Sequence, residues 1–498
     1  MFPSLKEIKE IIKTGNWKRI PVCREILADC FTPVEVVRIL RAASRRCFLL
    51  ESAEDSGNRG QYSFLGYEPS LEITCTEGLL TIRKTGADED GDVPVKCVRV
   101  SHPADEIRRI LAAYKSPQVK NLPPFTGGLV GYFSYDYLCY AEPKLREKPM
   151  PEEDFRDVDL MLFDKVIVFD HFRQTLMLIA GVDPASPESS YRRAEEETAE
   201  MLNLLRSGAR AAFRPLRLCQ KLTPRFSESQ FADKVERAKN YIREGDIFQV
   251  VLSNPMTAEA SGSLFDTFRL LRASNPSPYM FYFISDDIEI AGTSPETLVK
   301  LEDGILHTYP LAGTRPRGRT LEEDAALEKE LLHDEKELAE HAMLVDLGRN
   351  DLGKISRIGS VSVEHSFCVE RFSHVMHIGS SVAGCILDGR DALDAVDAVL
   401  PAGTLSGAPK LRACEIIREL EGKQRGIYGG AIGYIDFAGN LDVCIAIRLV
   451  YKKNSRICVQ TGAGIVFDSV PEREFEECRN KARAVVDAIT RAEGGVAE

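Results

Sequence analysis

The chain has 498 residues, 44% of them hydrophobic and 28% charged, as in an ordinary globular protein with ample material for two domains. Its 64 basic and 76 acidic residues give a net charge of −12, which argues against a nucleic acid as the main partner. No run approaches about 18 apolar residues, so the sequence predicts neither a membrane span nor a secretion signal. The 13 cysteines are scattered and never form C-x-x-C, a pattern that predicts reduced thiols in a cytoplasmic protein.

The first region, residues 1–210, predicts short helices and antiparallel strands. The alternating strings LEITC, LLTIR and VKCVRV are typical of strands joined by turns. The predicted helices and strands of this region are a helix within residues 1–20, a helix from Pro33 to Ser44, a buried strand from Arg46 to Ser52, one buried hairpin from Val158 to Gly181 turning at DHFRQ, and a helix from Ser186 to Arg206.

A linker without clear periodicity separates this region from a second one, residues 227–498. The second region predicts a capped helix starting at Ser227, a strand from Ile247 to Asn254, one long charged helix from Leu321 to about Leu347, and a hairpin turning at Ala438-Gly439-Asn440. Strands and helices do not alternate regularly, which disfavours a parallel sheet. We therefore predict an α+β fold of large antiparallel β-sheets sandwiched with outer helices, built from two interleaved regions.

The stretch from Gln460 to Ala482 concentrates residues suited to an acidic ligand. Gly462, Ala463 and Gly464 leave backbone N–H groups accessible to an anion. After Pro471 the sequence becomes helical and acidic, and it places Glu477 and Lys481 four residues apart on one helical face.

Two pairs of carboxylates at helical spacing suggest a metal site. A charge run such as the one that contains Glu337 and Glu340 is usually a solvated helix face. A second pair, Glu474 and Glu477, raises the functional interest, because Mg²⁺ is typically held by one or two carboxylates with substrate and water in the remaining positions.

Two glycine-rich loops add polar groups. PLAGTRPRG (residues 310–318) offers Gly313 and Thr314 beside arginines, and LPAGTLSGAPK (residues 400–410) offers Thr404; neither has the spacing of a phosphate-binding P-loop. The pattern H-x-x-C…H-x-x-H, formed by His365, Cys368, His374 and His377, is an alternative zinc motif. Strand alternation would send these side chains to different faces, so we keep His377 only as a polar site residue.

The motifs together resemble the chorismate-utilising enzymes, and among them most closely the component I branch of the anthranilate synthases. The matching strings, in family order, are LLES, YSFLG, IFQVVLSN, NPSPYMFYF, AGTSPETL, YPLAGTRPRG, DEKELAEHAMLVDLGRNDLGK, VMHIGSSV, PAGTLSGAPK, YGGAIGY and TGAGIVFDSVPEREFEECRNKA. The resemblance implies the α+β fold of this family, the substrate chorismate, and an obligatory Mg²⁺.

The resemblance also implies roles for individual residues. Glu340 and Glu477 look like the metal ligands. Glu296 resembles the general acid that protonates the departing ring hydroxyl, while His377 and Thr404 resemble residues assisting pyruvate release. Residues similar to the family's substrate contacts are Gly313, Thr314, Tyr428, Arg448, Gly462, Ala463, Gly464 and Lys481.

Two positions distinguish the branches of this family. Gln249 stands where the isochorismate synthases carry a lysine that activates water, so ammonia is favoured as the nucleophile. Ala312 stands where aminodeoxychorismate synthases commonly carry a nucleophilic lysine, which favours direct amination and the ortho product. The resemblance thus implies the large subunit of an anthranilate synthase, acting in tryptophan biosynthesis. An aminodeoxychorismate synthase of the folate pathway and a non-catalytic tryptophan-binding regulator stay open as alternatives.

Regulation and a partner are further implications. Ser52, with Pro278, Tyr279 and Met280, resembles a tryptophan feedback site. No cysteine has the glycine-flanked elbow of a built-in glutaminase, so the family pattern implies a separate glutamine amidotransferase subunit, forming a heterotetramer with this chain.

Overall fold

The computed structural model describes residues 1–53, 60–85, 93–147, 155–371 and 375–496. Within these ranges, the helices in chain order are α1 (Leu5–Ile12), α2 (Pro33–Ala43), α3 (Ala104–Ala113), α4 (Leu138–Ala141), α5 (Pro187–Ser207), α6 (Glu228–Arg243), α7 (Phe265–Ser274), α8 (Leu321–Leu331), α9 (Glu335–Gly353), α10 (Ala392–Val399), α11 (Lys410–Glu421) and α12 (Pro471–Ala492). No described helix has the length and hydropathy needed to cross a bilayer.

The strands, also in chain order, are β1 (Ile20–Leu27), β2 (Cys47–Glu51), β3 (Tyr62–Tyr67), β4 (Leu71–Thr76), β5 (Leu79–Lys84), β6 (Val93–Arg99), β7 (Gly128–Phe133), β8 (Val158–Phe163), β9 (Val166–Asp170), β10 (Thr175–Val182), β11 (Arg217–Leu218), β12 (Thr223–Pro224), β13 (Gln249–Ser261), β14 (Tyr279–Ile284), β15 (Ile288–Ser294), β16 (Thr297–Glu302), β17 (Ile305–Thr308), β18 (Leu311–Pro316), β19 (Ser362–Arg371), β20 (Val375–Cys385), β21 (Gly407–Ala408), β22 (Ala431–Asp436), β23 (Leu441–Ile445), β24 (Leu449–Lys453) and β25 (Arg456–Ile465).

These strands form two large antiparallel sheets. The first has the order β1-β10-β9-β3-β2-β14-β15-β24-β25-β13-β11, with β12 and β21 also paired to β13. The second has the order β18-β20-β17-β16-β23-β22-β7-β8-β4-β5-β6, with β19 paired to β20. Each sheet mixes strands from the first and the last parts of the chain, so the predicted α+β fold with interleaved regions is confirmed.

An aromatic core lies between the two sheets. Phe48 of β2 and Phe163 of β8 meet edge to face across the sheets, with ring centroids 4.7 Å apart, and both are fully buried. Such aromatic pairs add about 0.5–1.5 kcal/mol beyond their burial. The outer face of the first sheet packs against α2, α5, α7 and α12, and that of the second against α3 and α10. The result is the predicted sandwich with outer helices.

The chain passes from one sheet to the other at two neighbouring segments that matter for the site. One joins β15 to β16 and carries Glu296; the other joins β23 to β24 and carries Arg448. The two segments lie side by side, because the N–H of Ile445 donates to the Glu296 carbonyl at 2.9 Å and the N–H of Thr293 donates to the Arg448 carbonyl at 3.1 Å.

Two predicted elements differ from the structure. The single helix predicted from Leu321 to about Leu347 is two helices, because the Asp334 carboxylate caps α9 by accepting hydrogen bonds from the N–H groups of Lys336 and Glu337. The hairpin predicted from Val158 to Gly181 is in fact β9 and β10, while β8 belongs to the other sheet. Its continuous apolar pattern did not reveal the change of sheet.

Candidate active site

The glycine pair that heads the predicted site lies in an extended strand rather than in a turn. In β25, Gly462 pairs with Ser253 and Gly464 with Val251 of β13. Alternation turns the intervening Ala463 to the opposite face, where it is fully buried in the core between β13, α6 and α11. The two glycines therefore line the site, and Ala463 can contribute only its backbone.

Polar side chains lie directly over these glycines. A Cβ atom on Gly462 would be 2.9 Å from the hydroxyl oxygen of Tyr428, and one on Gly464 would be 2.8 Å from the Nε2 of Gln249. Any side chain at either position would displace one of these two polar groups. The structure therefore brings together four of the predicted residues on one strand face.

The outer edge of β25 offers backbone donors. β24 pairs with β25 only as far as Val459, and the carbonyl of Gly462 accepts a hydrogen bond from Lys481 Nζ at 3.1 Å. The N–H and C=O of one strand residue point to the same edge, so the N–H groups of Gly462 and Gly464 point to this edge too. The segment predicted to bind an anion thus lies at an open strand edge, with its N–H groups unshared by any neighbouring strand that the structure describes.

Two cations flank the glycine edge. Lys481 of α12 lies 2.7 Å from Glu477 Oε1, as their four-residue spacing predicted. The Arg448 guanidinium donates to the Lys481 carbonyl. Burial lowers the pKa of Arg448, while Tyr428 and Glu477 act in the opposite direction. A partly desolvated positive charge of this kind attracts a carboxylate more strongly than an exposed one.

Glu296 has a carboxyl group with a raised pKa. Burial raises its pKa to about 7, although a hydrogen bond from Thr404 and the charge of Lys481 lower it in part. The Thr404 hydroxyl donates to Glu296 Oε1 at 3.1 Å. Both side chains line a cavity of about 40 Å³ between the second sheet and α9. A carboxyl group with this pKa can hold a proton at neutral pH and release it to a leaving group.

His377 is held in one tautomer. Its Nδ1 donates to the Gly313 carbonyl at 2.8 Å and lies 3.1 Å from the Thr314 hydroxyl. Gly313 has φ +62° at a register shift between β18 and β20, a conformation that favours glycine. Burial and the charge of Arg448 lower the pKa of His377, so the imidazole is neutral near pH 7.

The arginines of the same loop have structural partners. Arg315 donates to Glu330 at 3.0 Å and to Asp334 at 2.8 Å, and Arg317 pairs with Asp324 at 2.7 Å. These ion pairs fasten α8 and the start of α9 to β18.

Carboxylates from α9 and α12 face each other across the cleft. Burial raises the pKa of Glu340, and the charges of Glu337 and Glu477 raise it further. Burial and the charge of Glu477 likewise raise the pKa of Glu474. In the described ranges, no three acidic, histidine or cysteine side chains form a complete metal site. Two facing carboxylates with like-charge repulsion nevertheless fit a hard divalent cation whose remaining ligands are water or substrate.

The zinc-like motif is spread apart. His365 and Cys368 are exposed on β19, at the margin of the second sheet, and His374 lies outside the described residues. His377, on β20, has its Nδ1 directed at Gly313, as described above.

The four residues of the predicted tryptophan site line one pocket of about 130 Å³ between the sheets. Ser52, Pro278, Tyr279 and Met280 all contribute to its wall. The Tyr279 hydroxyl lies 2.9 Å from the Thr297 hydroxyl and donates to Asp442 at 2.8 Å. Thr297 follows Glu296 directly in the chain. The hydrogen bond between Tyr279 and Thr297 therefore links this pocket to the residue next to Glu296.

Asp351 was not predicted. It lines the cavity of Glu296 from α9 and pairs with Lys410 at 2.5 Å and Lys354 at 3.1 Å. Its sequence context, a charged stretch of helix, is typical of a solvated face. Only the lysine of PAGTLSGAPK, which is partly buried in the structure and pairs with Asp351, offered a signal.

Comparison with known proteins places the chain in a family. The model of the chorismate binding enzyme family matches residues 45–487. Anthranilate synthase component 1 of Acetivibrio thermocellus is 44% identical over 500 residues, covering 99% of this chain and 99% of that protein. The same-named protein of Acinetobacter calcoaceticus is 43% identical over 503 residues, covering 98% of each. The crystal structure of anthranilate synthase component I from Streptococcus pneumoniae matches with a TM-score of 0.74 at 38% identity, covering 87% of this chain and 93% of that one. A family model that covers most of the chain, together with relatives aligned over nearly its full length, makes this protein a member of the chorismate binding enzyme family.

Proposed function

We propose that this protein is the large subunit of an anthranilate synthase, which converts chorismate and ammonia to anthranilate and pyruvate in tryptophan biosynthesis. The observation that carries the proposal is the electrostatic coupling of one cleft. Lys481 acts on the pKa of both Glu296 and Glu340, and Arg448 acts on that of His377. An acid, a neutral imidazole, two cations and the carboxylate of Glu340 therefore lie within electrostatic reach of one another.

The cleft suits a dicarboxylate substrate. Lys481 and Arg448 supply positive charge, and the N–H groups of Gly462 and Gly464 supply directed donors at the open edge of β25. The Tyr428 hydroxyl lies over Gly462, where it can orient a ring oxygen or carboxylate. Binding by several fixed donors orients the ring against Glu296.

The first step forms the bond between ammonia nitrogen and ring C2 and breaks the bond between C4 and its hydroxyl, with migration of the ring double bonds. Glu296 donates the proton that lets the hydroxyl leave as water, and the new ammonium group loses a proton. Gln249 is a neutral amide and cannot serve as the base that would activate water in place of ammonia. Ala312 has no amine that could attack the ring.

The second step removes the proton on ring C2 and breaks the bond between C3 and the ether oxygen, leaving an aromatic ring. The side chain leaves as enolpyruvate, which takes up a proton at its methylene carbon to become pyruvate. His377 accepts or relays the proton, since its Nδ1–H is held by Gly313 and neutral imidazole has its lone pair on Nε2. Thr404 keeps the carboxyl group of Glu296 oriented through both steps.

We infer that Glu340 of α9 and Glu477 of α12 hold Mg²⁺. When bound, Mg²⁺ would supply positive charge that offsets a substrate carboxylate. Glu477 is already paired with Lys481, so the same carboxylate organises both the metal position and the cationic edge.

We also propose that residues 1–210 form a regulatory region and residues 227–498 the catalytic region, with tryptophan as feedback inhibitor in the pocket of Ser52, Pro278, Tyr279 and Met280. The pocket is lined by apolar rings and has carboxylate and ammonium side chains at Asp442 and Lys300. That combination suits an aromatic amino acid. The free thiols of all 13 cysteines support a reducing compartment such as the cytoplasm.

The proposed partner is a glutamine amidotransferase subunit that supplies the ammonia, in a heterotetramer. The test is fluorescence detection of anthranilate from chorismate, Mg²⁺ and ammonium ion by the isolated chain. We expect turnover with ammonium but not with glutamine, and loss of turnover with a chelator. A para-substituted product would assign the chain to the aminodeoxychorismate branch, and glutamine use by the isolated chain would contradict the need for a partner.

A further inference from the structure

A buried ion pair closes the C-terminal end of α11. Arg425 is only 3% exposed, and its Nε and Nη2 donate to the two carboxylate oxygens of Glu421 at 2.9 and 2.6 Å. This two-point contact fixes the plane of the guanidinium group. Neither residue belongs to the site described above.

The remaining donors of Arg425 reach two separate elements of the active site. Its Nη1 donates to the Leu405 carbonyl at 2.7 Å, and its Nη2 donates to the Val251 carbonyl at 2.7 Å. Leu405 follows Thr404 directly, and Val251 lies two residues after Gln249 in β13. One side chain thus joins the loop of Thr404 to the strand of Gln249.

The same guanidinium group also touches a third element. Its central carbon lies 5.7 Å from the ring centroid of Tyr428, whose hydroxyl lies over Gly462. The carboxylate of Glu421 accepts hydrogen bonds from Ser253 at its N–H and its hydroxyl, at 2.8 and 3.0 Å. Ser253 pairs with Gly462 across the two strands.

Stability alone does not account for such a pair. Desolvating two charges costs so much that replacing a buried pair with apolar groups is often neutral or stabilising. Here Nη1 and Nη2 also reach the Leu405 and Val251 carbonyls, on the two elements that carry Thr404 and Gln249.

We propose that Arg425, oriented by Glu421, is a positioning residue for the reaction. It holds Thr404, Gln249 and Tyr428 at fixed mutual distances without touching the substrate. This inference rests on the proposed function, because it concerns the geometry of that chemistry.

The test is Arg425→Lys in the full chain, assayed with chorismate, Mg²⁺ and ammonium ion. Lysine keeps the charge but cannot donate to Glu421, Leu405 and Val251 together. A misplacement of about 1 Å can cost about 100-fold in rate, so we expect kcat to fall about 10- to 100-fold. The hydrogen bond from Thr404 lowers the pKa of Glu296. Loss of this hydrogen bond therefore raises the pKa of Glu296 and moves the alkaline limb of the pH–rate profile to higher pH.

Arg156→Lys is the matched control. Arg156 is a partly buried arginine that pairs with several carboxylates, at 3.1 Å from Glu72, 2.9 Å from Asp159 and 3.4 Å from Asp287, and it lies in the first region of the chain. We expect this variant to lose thermal stability without a shift of the limb. Should Arg425→Lys fail to fold, Glu421→Gln is measured in its place, with the same direction of shift expected.

The outcomes separate the two proposals. Inactivity of the wild-type chain with chorismate and ammonium overturns the proposed function itself. If the wild type is active but the alkaline limb of the pH–rate profile is unchanged in Arg425→Lys, the positioning role is overturned, whether or not kcat falls. Arg425 is then a structural residue only. A lowered kcat with a shifted limb, absent in Arg156→Lys, supports the inference.

Discussion

Replacement of Glu296 by glutamine tests the centre of the proposed chemistry. Glutamine has nearly the same size and can still accept the hydrogen bond from Thr404, but it carries no acidic proton. In the wild type, the pKa of about 7 means that the general acid loses its proton as pH rises through neutrality. We expect Glu296→Gln to lower kcat by about 10²- to 10⁴-fold, the range for loss of general acid catalysis, and to remove the alkaline limb.

The same substitution has a stability effect that can be derived from the structure. The pKa of Glu296 is raised from 4.5 to about 7 in the folded chain. When the pKa of an acid is higher in the folded than in the unfolded chain, its ionisation lowers the free energy of unfolding. This loss is complete at pH values above the folded-state pKa and absent at pH values below the unfolded-state pKa. At about 1.36 kcal/mol for each pKa unit, the loss is about 3 kcal/mol at pH 8 and about 1 kcal/mol at pH 5.

Two measurements check this reasoning. Urea denaturation at pH 5 and pH 8 gives the free energy of unfolding of both proteins, and initial rates of anthranilate fluorescence give the pH profile. Glu289→Gln is the control, since Glu289 is also a buried carboxylate, bonded to Ser263 and Tyr282 away from the cleft. If Glu296→Gln were no more stabilising at pH 8 than at pH 5, or kept the alkaline limb, Glu296 would not be the titrating acid.

Four further substitutions probe the rest of the site. Glu340→Gln or Glu477→Gln should raise the Mg²⁺ concentration for half-maximal activity at least tenfold, because each removes one of two carboxylate ligands. Gly462→Ala should raise the chorismate KM at least tenfold, because its Cβ would lie 2.9 Å from the Tyr428 hydroxyl. Tyr279→Phe should weaken inhibition by tryptophan with kcat changed less than about threefold, because it removes the hydrogen bond between the Tyr279 hydroxyl in the pocket and Thr297.

Each of these has an outcome that contradicts it. An unchanged Mg²⁺ requirement in both Glu340→Gln and Glu477→Gln would show that the metal binds at another site. Full activity and KM in Gly462→Ala, checked against an alanine at Gly353, where a Cβ would meet no described atom within 4 Å, would show that the glycine face does not contact substrate. Undiminished tryptophan inhibition in Tyr279→Phe would separate the pocket from regulation.

Much of the fold followed from local patterns. The strands alternate visibly in LEITC and LLTIR, and Ser227 caps α6 as predicted, with Gln230 completing a capping box. What local patterns could not show is which sheet a strand joins. Strand β8 reads as half of a hairpin with β9, yet the two lie in different sheets, because a fully buried strand is apolar on both faces in either position.

The candidate site followed mainly from motif resemblance, and its geometry did not. The i,i+4 pair of Glu477 and Lys481 was predictable from helical spacing. The opposite orientation of Ala463 became clear only with the register of β25. Arg425 and Glu421 look like an ordinary helix-surface pair at four-residue spacing, and nothing in the sequence indicates that both are buried.

The two side-by-side segments that join the sheets have a consequence for control. Glu296 and Arg448 lie on segments where the chain passes from one sheet to the other. A change in the spacing of the two sheets would therefore move both residues. A ring wedged between the layers beside Tyr279 would press on the same joint one residue away from Glu296. Under the proposed regulation, an occupant of this pocket that never meets the substrate would change the position of the proposed proton donor.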